Sequence, residues 1–183
     1  MAVLPLPTRP AHGGGIVGRA RYQLKAVGAD FLNCPDNTIH QALPHVVRRS
    51  PLPWLHISEE VASEAVARGF KRLAVTGTRW LIDSEVYPDA LAALGLAYMR
   101  PTPEERDQIN RIIMEELVCG VFKAEAVAYF QRAYARMKDA GCDAVVLGCT
   151  EIPLIMNDAN SPLPTLDSTR LLARAALRRA VAR

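Results

Sequence analysis

Cysteine and histidine are scarce in this chain, four of each, and neither is arranged to bind a metal. Cys34, Cys119, Cys142 and Cys149 show no CxxC spacing, and His12, His40, His45 and His56 form no HxxxH or CxH cluster. These absences argue against a zinc site and a disulfide framework and leave thiol chemistry as the cysteine function to consider. Nucleotide binding has no motif behind it, because neither GxGxxG nor GxxxxGKS/T occurs. Clean apolar stretches such as Leu91–Met99 fall well short of the ~18 residues that cross a bilayer, and Met1–Gly15 lacks a basic segment followed by an apolar one. A soluble, cytoplasmic protein is expected. Charge of one sign is also lacking: 22 Lys and Arg against 19 Asp and Glu leave a net +3, too little for a nucleic-acid partner without a basic stripe. Aromatics at 6% speak against an aromatic-rich β architecture.

What is present is an ordinary globular balance, 50% apolar and 22% charged over 183 residues, enough for one domain or two small lobes. Residues 1–15, with three prolines and the run Gly13–Gly15, read as a flexible tail. Beyond them helices and strands alternate. The pattern predicts a helix over Ile16–Val27 closed by Gly28, a short buried strand over Ala29–Cys34, and helical structure over Thr38–Arg49. A short strand over Trp54–Ile57 leads to a helix capped by Ser58 and ending at Gly69, followed by a strand over Arg72–Thr76. One helical stretch then runs through Leu94. Thr102-Pro103-Glu104-Glu105 has the form of a capping box before Ile109, Ile112, Ile113 and Leu117. A helix over Lys123–Ala140, an apolar strand over Asp143–Leu147 and a last helix from about Asp167 complete the chain. The alternation predicts an α/β fold with parallel sheets covered on both faces.

Ligands of such sheets bind beyond the carboxyl ends of the strands. Three strand ends carry reactive or hydroxyl side chains: Cys34-Pro35-Asp36-Asn37-Thr38, Thr76-Gly77-Thr78 and Gly148-Cys149-Thr150-Glu151. Cys149 is expected near unpaired backbone N–H groups that favour a thiolate, which would make it the most reactive thiol. A small packed hydrophobe is the bland alternative, and Cys119 and Cys142 are expected in the core. Asn37 with Thr38, and Thr150 with Glu151, offer donors that suit a carboxylate or simply cap a helix. His45 and His56 read as ordinary helix and strand residues, and Arg170, Arg174 and Arg178 as a solvated stripe.

The segments GADFLNCPDNTIH (28–40), VTGTRWLIDSEVY (75–87) and AVVLGCTEIPLI (144–155) resemble, in order and spacing, motifs of the aspartate/glutamate racemase family. That resemblance implies two Rossmann-like lobes related by a pseudo-twofold, with a small amino acid or dicarboxylic acid bound between them and no cofactor. The expected division is 16–52 plus 165–183 for the first lobe and 53–164 for the second. The resemblance further implies that a pair of groups transfers protons at the two faces of the α-carbon. Cys149 would be one of them, with Asn37, Thr38, Thr78, Thr150 and Glu151 around the substrate, Lys123 near a side-chain carboxylate and His40 lining the site.

The chain departs from that pattern where the family carries its first cysteine, directly before Asn-Thr, because Asp36 stands there. With reference pKa values near 3.9 for Asp and 8.5 for Cys, a carboxylate is the weaker base by about 4.6 units, or ~6 kcal/mol. Asp36 is therefore either a base tuned by its surroundings or a cap. The family's opening strand and glycine-rich loop have no counterpart in residues 1–15, so the first lobe is expected to be incomplete. Its exposed edge would favour aggregation or pairing with a second copy as a homodimer. Three functions remain in competition: an amino-acid racemase, a single-thiol decarboxylase or isomerase of the same superfamily, and a non-catalytic relative.

Overall fold

A computed structural model of the chain describes residues 19–182, so the expected tail lies outside the described residues. It opens with helix α1 over residues 19–26. A 3-10 turn (Thr38–Ala42) leads into the short α2 (Leu43–Val46). Next come α3 (Ile57–Ala67), β1 (Arg72–Gly77), α4 (Arg79–Ile82), α5 (Val86–Ala93), β2 (Ala97–Met99) and α6 (Pro103–Glu115). The chain closes with α7 (Ala124–Asp139), β3 (Ala144–Gly148), β4 (Thr165–Asp167) and α8 (Ser168–Val181).

The four strands form one parallel sheet in the order β2-β1-β3-β4. Alternation along the strands divides its core. Ala74, Val145 and Leu147 point into a cluster with Ile109, Ile113, Phe130, Tyr134 and Met137 of α6 and α7. Leu73, Val75, Ala144 and Val146 point the other way, against Val61 and Ala65 of α3, Leu91 of α5 and Leu171 of α8. This two-faced burial is what near-continuous apolar strands predict. At the centre of the sheet β1 and β3 run in register to the pair Gly77 and Gly148. A Cβ on Gly148 would lie 2.5 Å from the Thr76 carbonyl oxygen, so no side chain fits there without shifting backbone.

Ahead of this sheet the chain repeats part of it. Leu32 and Trp54 form an isolated parallel bridge in which the Leu32 N–H donates to the Pro53 carbonyl at 2.9 Å. Val145 and Thr165 are partners in the same way, and the Val145 N–H donates to the Pro164 carbonyl at 2.9 Å. Four residues beyond Leu32 stands Asp36, and four beyond Val145 stands Cys149. Three residues beyond Trp54 α3 begins, and three beyond Thr165 α8 begins. Asp36 and Cys149 thus occupy equivalent positions of an internal repeat.

Several local expectations need correction. The strand expected over Ala29–Cys34 pairs only at Leu32, and Trp54–Ile57 contributes only Trp54 before α3 begins. Ser58 is not the cap of α3: His56 holds that position, and Ser58 is fully buried in the first turn. The single helix expected up to Leu94 is two, because Pro88 lacks an N–H and fits only near the start of a helix, so the chain turns at Asp83–Glu85 and restarts as α5. Thr38–Arg49 is broken into 3-10 and α pieces. β2 and β4 were not foreseen, since three residues carry too little pattern to read. Cys119 is exposed rather than packed, whereas Cys142 is buried. Hydrogen bonds also cross the expected lobe borders, since Trp54 bridges to Leu32 and β4 belongs to the sheet with β3.

Candidate functional site

The carboxyl ends of β1 and β3 and the loop 36–38 supply the candidate site. Cys149 follows β3 directly and is 9% exposed. Its thiol donates to a Glu151 carboxylate oxygen at 2.8 Å. Burial, the hydrogen bond to Glu151, and the negative charges of Glu151 and Asp36 all push the Cys149 pKa well above the ordinary thiol range. The Glu151 backbone N–H opposes them and loses. The expected thiolate-favouring environment is therefore corrected: this thiol is held protonated. The charge of Asp36 reaching Cys149 links the two equivalent positions of the repeat.

Asp36 is exposed, and its Oδ1 accepts from the Ile39 N–H at 3.0 Å, a capping bond across the 3-10 turn. Thr38 Oγ1 lies 3.4 Å from Thr78 Oγ1, which brings hydroxyls from the two strand-end loops together. Thr78 also caps α4. Thr150 is exposed beside Cys149.

Asn37 is placed differently from its expected role as an open donor. It is 3% exposed, its Oδ1 accepts from the Tyr87 hydroxyl at 2.7 Å, and its Nδ2 donates to Ser168 Oγ at 3.0 Å. Ser168 Oγ in turn donates to the Leu147 carbonyl at 2.8 Å, two residues before Cys149. This buried chain ties the Asp36–Thr38 loop to α5, α8 and the end of β3. Satisfied buried networks of this kind specify one arrangement, since breaking one member orphans its partner. Tyr87 and Ser168 were missed in the sequence, because each sits in an apolar helical pattern and finds Asn37 only 50 and 131 residues away.

Lys123 precedes α7, which returns antiparallel to the sheet and so starts at its carboxyl end. Its ammonium pairs with Glu116 at 3.2 Å rather than with the strand-end cluster. His40 is buried, and its Nε2–H donates to the Cys34 carbonyl at 2.9 Å. His56, read as an ordinary strand residue, packs edge-on against His40 with ring centroids 4.4 Å apart. Burial first, then the neighbouring His56, lowers the His40 pKa to about 4. Among the described residues, no group of three or more His, Cys, Asp and Glu is arranged to hold a metal ion. No helix among them is long and apolar enough to cross a membrane.

Comparison with known proteins places this geometry in context. The profile of the Asp/Glu/hydantoin racemase family matches residues 9–176. A glutamate racemase of Koribacter versatilis (strain Ellin345) is 32% identical over 169 residues, covering 85% of this chain and 57% of the relative. The broad specificity amino-acid racemase RacX of Bacillus subtilis (strain 168) is 23% identical over 155 residues, 83% of this chain and 65% of the relative. The chain thus spans less than two thirds of the length of these relatives. A crystal structure of an aspartate racemase homologue from Pyrococcus horikoshii OT3 superposes with a TM-score of 0.82 at 29% identity, covering 91% of this chain and 74% of that one. With a parallel sheet, strand-end loops that bear Cys149 and Asp36, and a family profile that matches residues 9–176, the chain belongs to the Asp/Glu/hydantoin racemase family.

Proposed function

We propose that the chain is an amino-acid racemase that moves the α-proton without a cofactor, using Asp36 and Cys149 on opposite faces of the substrate. The observation that carries this reading is the placement of Asp36 and Cys149 at equivalent strand ends of the internal repeat, with the Cys149 thiol donating to Glu151 at 2.8 Å. Inverting a stereocentre needs a base on one face and an acid on the other. In one direction the Asp36 carboxylate takes the α-proton, the C–H electron pair stays on the α-carbon, and Cys149 S–H protonates that carbon from the opposite face. The resulting thiolate and carboxylic acid then exchange protons with solvent. In the reverse direction Glu151 receives the Cys149 proton, the thiolate takes the α-proton while the C–H electron pair stays on the α-carbon, and Asp36 in its carboxylic acid form protonates that carbon from the opposite face.

The Thr38 and Thr78 hydroxyls would donate to the α-carboxylate, and Thr150 would add a third donor. The substrate ammonium would offset the negative charges that now oppose the thiolate. Asn37 holds the loop in place through Tyr87 and Ser168. Lys123 would meet a substrate side-chain carboxylate only by leaving Glu116. In this reading the loop 36–38 and the carboxyl ends of β1 and β3 act as the two walls of the site, and a homodimer is its assembled form.

One observation favours a second reading. A thiol whose hydrogen bond is made to Glu151, with Asp36 engaged in capping through the Ile39 N–H, suits a single protonation step. In a decarboxylase the C–C bond to one carboxylate breaks, carbon dioxide leaves, and the carbon that keeps the electron pair takes the Cys149 proton. Incubation of aspartate, glutamate and neutral amino acids in deuterated water separates the two. Incorporation of α-deuterium with inversion is expected. Carbon dioxide release from a disubstituted malonate, without α-exchange in any amino acid, would replace the first reading by the second.

A further inference from the structure

Behind the strand-end loops lies a cleft of about 570 Å³ between the 3-10 turn that carries Thr38, the start of α3, and α5. That size suits a small organic ligand. At its wall the His40 tautomer is fixed by chemistry, because a carbonyl can only accept. Nε2 carries the proton donated to the Cys34 carbonyl, so neutral His40 presents a bare lone pair at Nδ1. Among the described residues that buried nitrogen has no hydrogen-bond partner, on a side chain that is 1% exposed and lines the cleft. A buried acceptor without a donor is an unmet demand for an N–H or O–H group. His56, beside it, shares a 3.0 Å hydrogen bond between its Nδ1 and Ser58 Oγ, and so does not supply that donor through Nδ1.

The charges around the cleft select among donors. Glu59 and Asp89 bring carboxylates from the first turns of α3 and α5, and among the described residues no lysine or arginine lines the cleft. Glu85 also lines it and is engaged by Arg100 at 3.2 Å. Val86, Ala90 and Leu94 give the same cleft an apolar wall. An anion would face two carboxylates and a lone pair, whereas a protonated amine would meet attraction from all three.

We infer that this cleft is a second ligand site, distinct from the strand-end site, for a primary ammonium carrying a short apolar chain. The ammonium donates to His40 Nδ1 and lies in the field of Glu59 and Asp89, and the chain packs on Val86, Ala90 and Leu94. Both imidazoles are pushed toward their neutral forms by burial, which keeps the acceptor available at neutral pH. This inference goes beyond the proposed racemase activity and does not depend on it.

The probe is butylammonium chloride, compared with sodium butyrate and butanol, in spectra of the 183-residue chain labelled with nitrogen-15 in its histidine rings. A saturable shift of the His40 Nδ1 resonance with butylammonium is expected, with no response to butyrate. Asp89→Asn should weaken that binding about fivefold, and Glu59→Gln provides an independent variant should the first fail to fold. Cys149→Ala should bind butylammonium as the parent does, whatever the catalytic activity proves to be. No shift with butylammonium, an equal response to butyrate, or loss of binding in Cys149→Ala would each overturn the assignment.

Discussion

At the residue scale the site turns on how two carboxylates treat one thiol. Glu151 accepts from Cys149 at 2.8 Å, and its charge adds to that of Asp36 and to burial in opposing ionisation. Replacing Glu151 by Gln removes one of these opposing charges, so the pH profile of Cys149 alkylation should move to lower pH, read by mass spectrometry of the labelled peptide. Cys119 is exposed and should be labelled first in the native parent, against the expectation from sequence that Cys149 leads. Asp36 serves visibly as a cap through the Ile39 N–H. Asp36→Cys should therefore cost about 0.5–2 kcal/mol in urea unfolding. If Asp36 is the weak partner in proton transfer, the same change should raise α-proton exchange, because it matches the acid to its base near neutral pH. A complete loss of exchange would mean that the carboxylate itself is required.

At the scale of elements, two devices hold the strand ends and the helices beside them. Gly77 and Gly148 let β1 and β3 approach where the site loops depart, and Gly148→Ala would drive a methyl group against the Thr76 carbonyl. A cost of about 1–3 kcal/mol is expected from such overpacking, with weaker substrate binding as the strand ends separate. The start of α6 is fixed by the capping box of Thr102 and Glu105, and Glu105 also receives Arg136 of α7 at 2.6 Å through Nε and through a second bond from Nη2. Glu105→Ala removes the box and the forked ion pair together. Because the Arg136 side chain is 37% exposed, solvent screens the pair, and a loss of about 1–2 kcal/mol by urea unfolding is expected. The capping box was readable from Thr102-Pro103-Glu104-Glu105 because it is local. The Arg136 contact lies 31 residues away and leaves no local mark.

For the whole molecule, sequence revealed the alternation of helices and strands and the three loops that bear chemistry, since strand runs such as Ala144–Leu147 and caps such as Thr102 are written locally. It did not reveal which side chains meet. The Tyr87–Asn37–Ser168 chain and the His40–His56 pair bring together residues far apart in the chain, and β2 and β4 owe their strand state to neighbours rather than to their own three residues. The buried histidine also sets how the fold responds to acid. With His40 near pKa 4 in the fold and about 6.5 when unfolded, the unfolded chain binds the extra proton between those values. The stability this group contributes is full above pH ~6.5 and is lost as pH falls toward 4, by roughly 3 kcal/mol. His40→Gln should flatten that part of the urea-midpoint profile, whereas an unchanged slope would place His40 in solvent.

Isotope exchange resolved by chirality decides whether Cys149 exchanges a proton with the α-carbon of an amino acid. Parent protein and Cys149→Ala are incubated with each enantiomer of the amino acids on which the parent is active, in deuterated water, and deuterium is followed separately in the starting and inverted forms. Inversion with α-deuterium is expected in the parent, with at least a hundredfold loss in Cys149→Ala at a nearly unchanged melting temperature. Exchange and inversion that persist in Cys149→Ala at the parental rate would rule out proton transfer by Cys149.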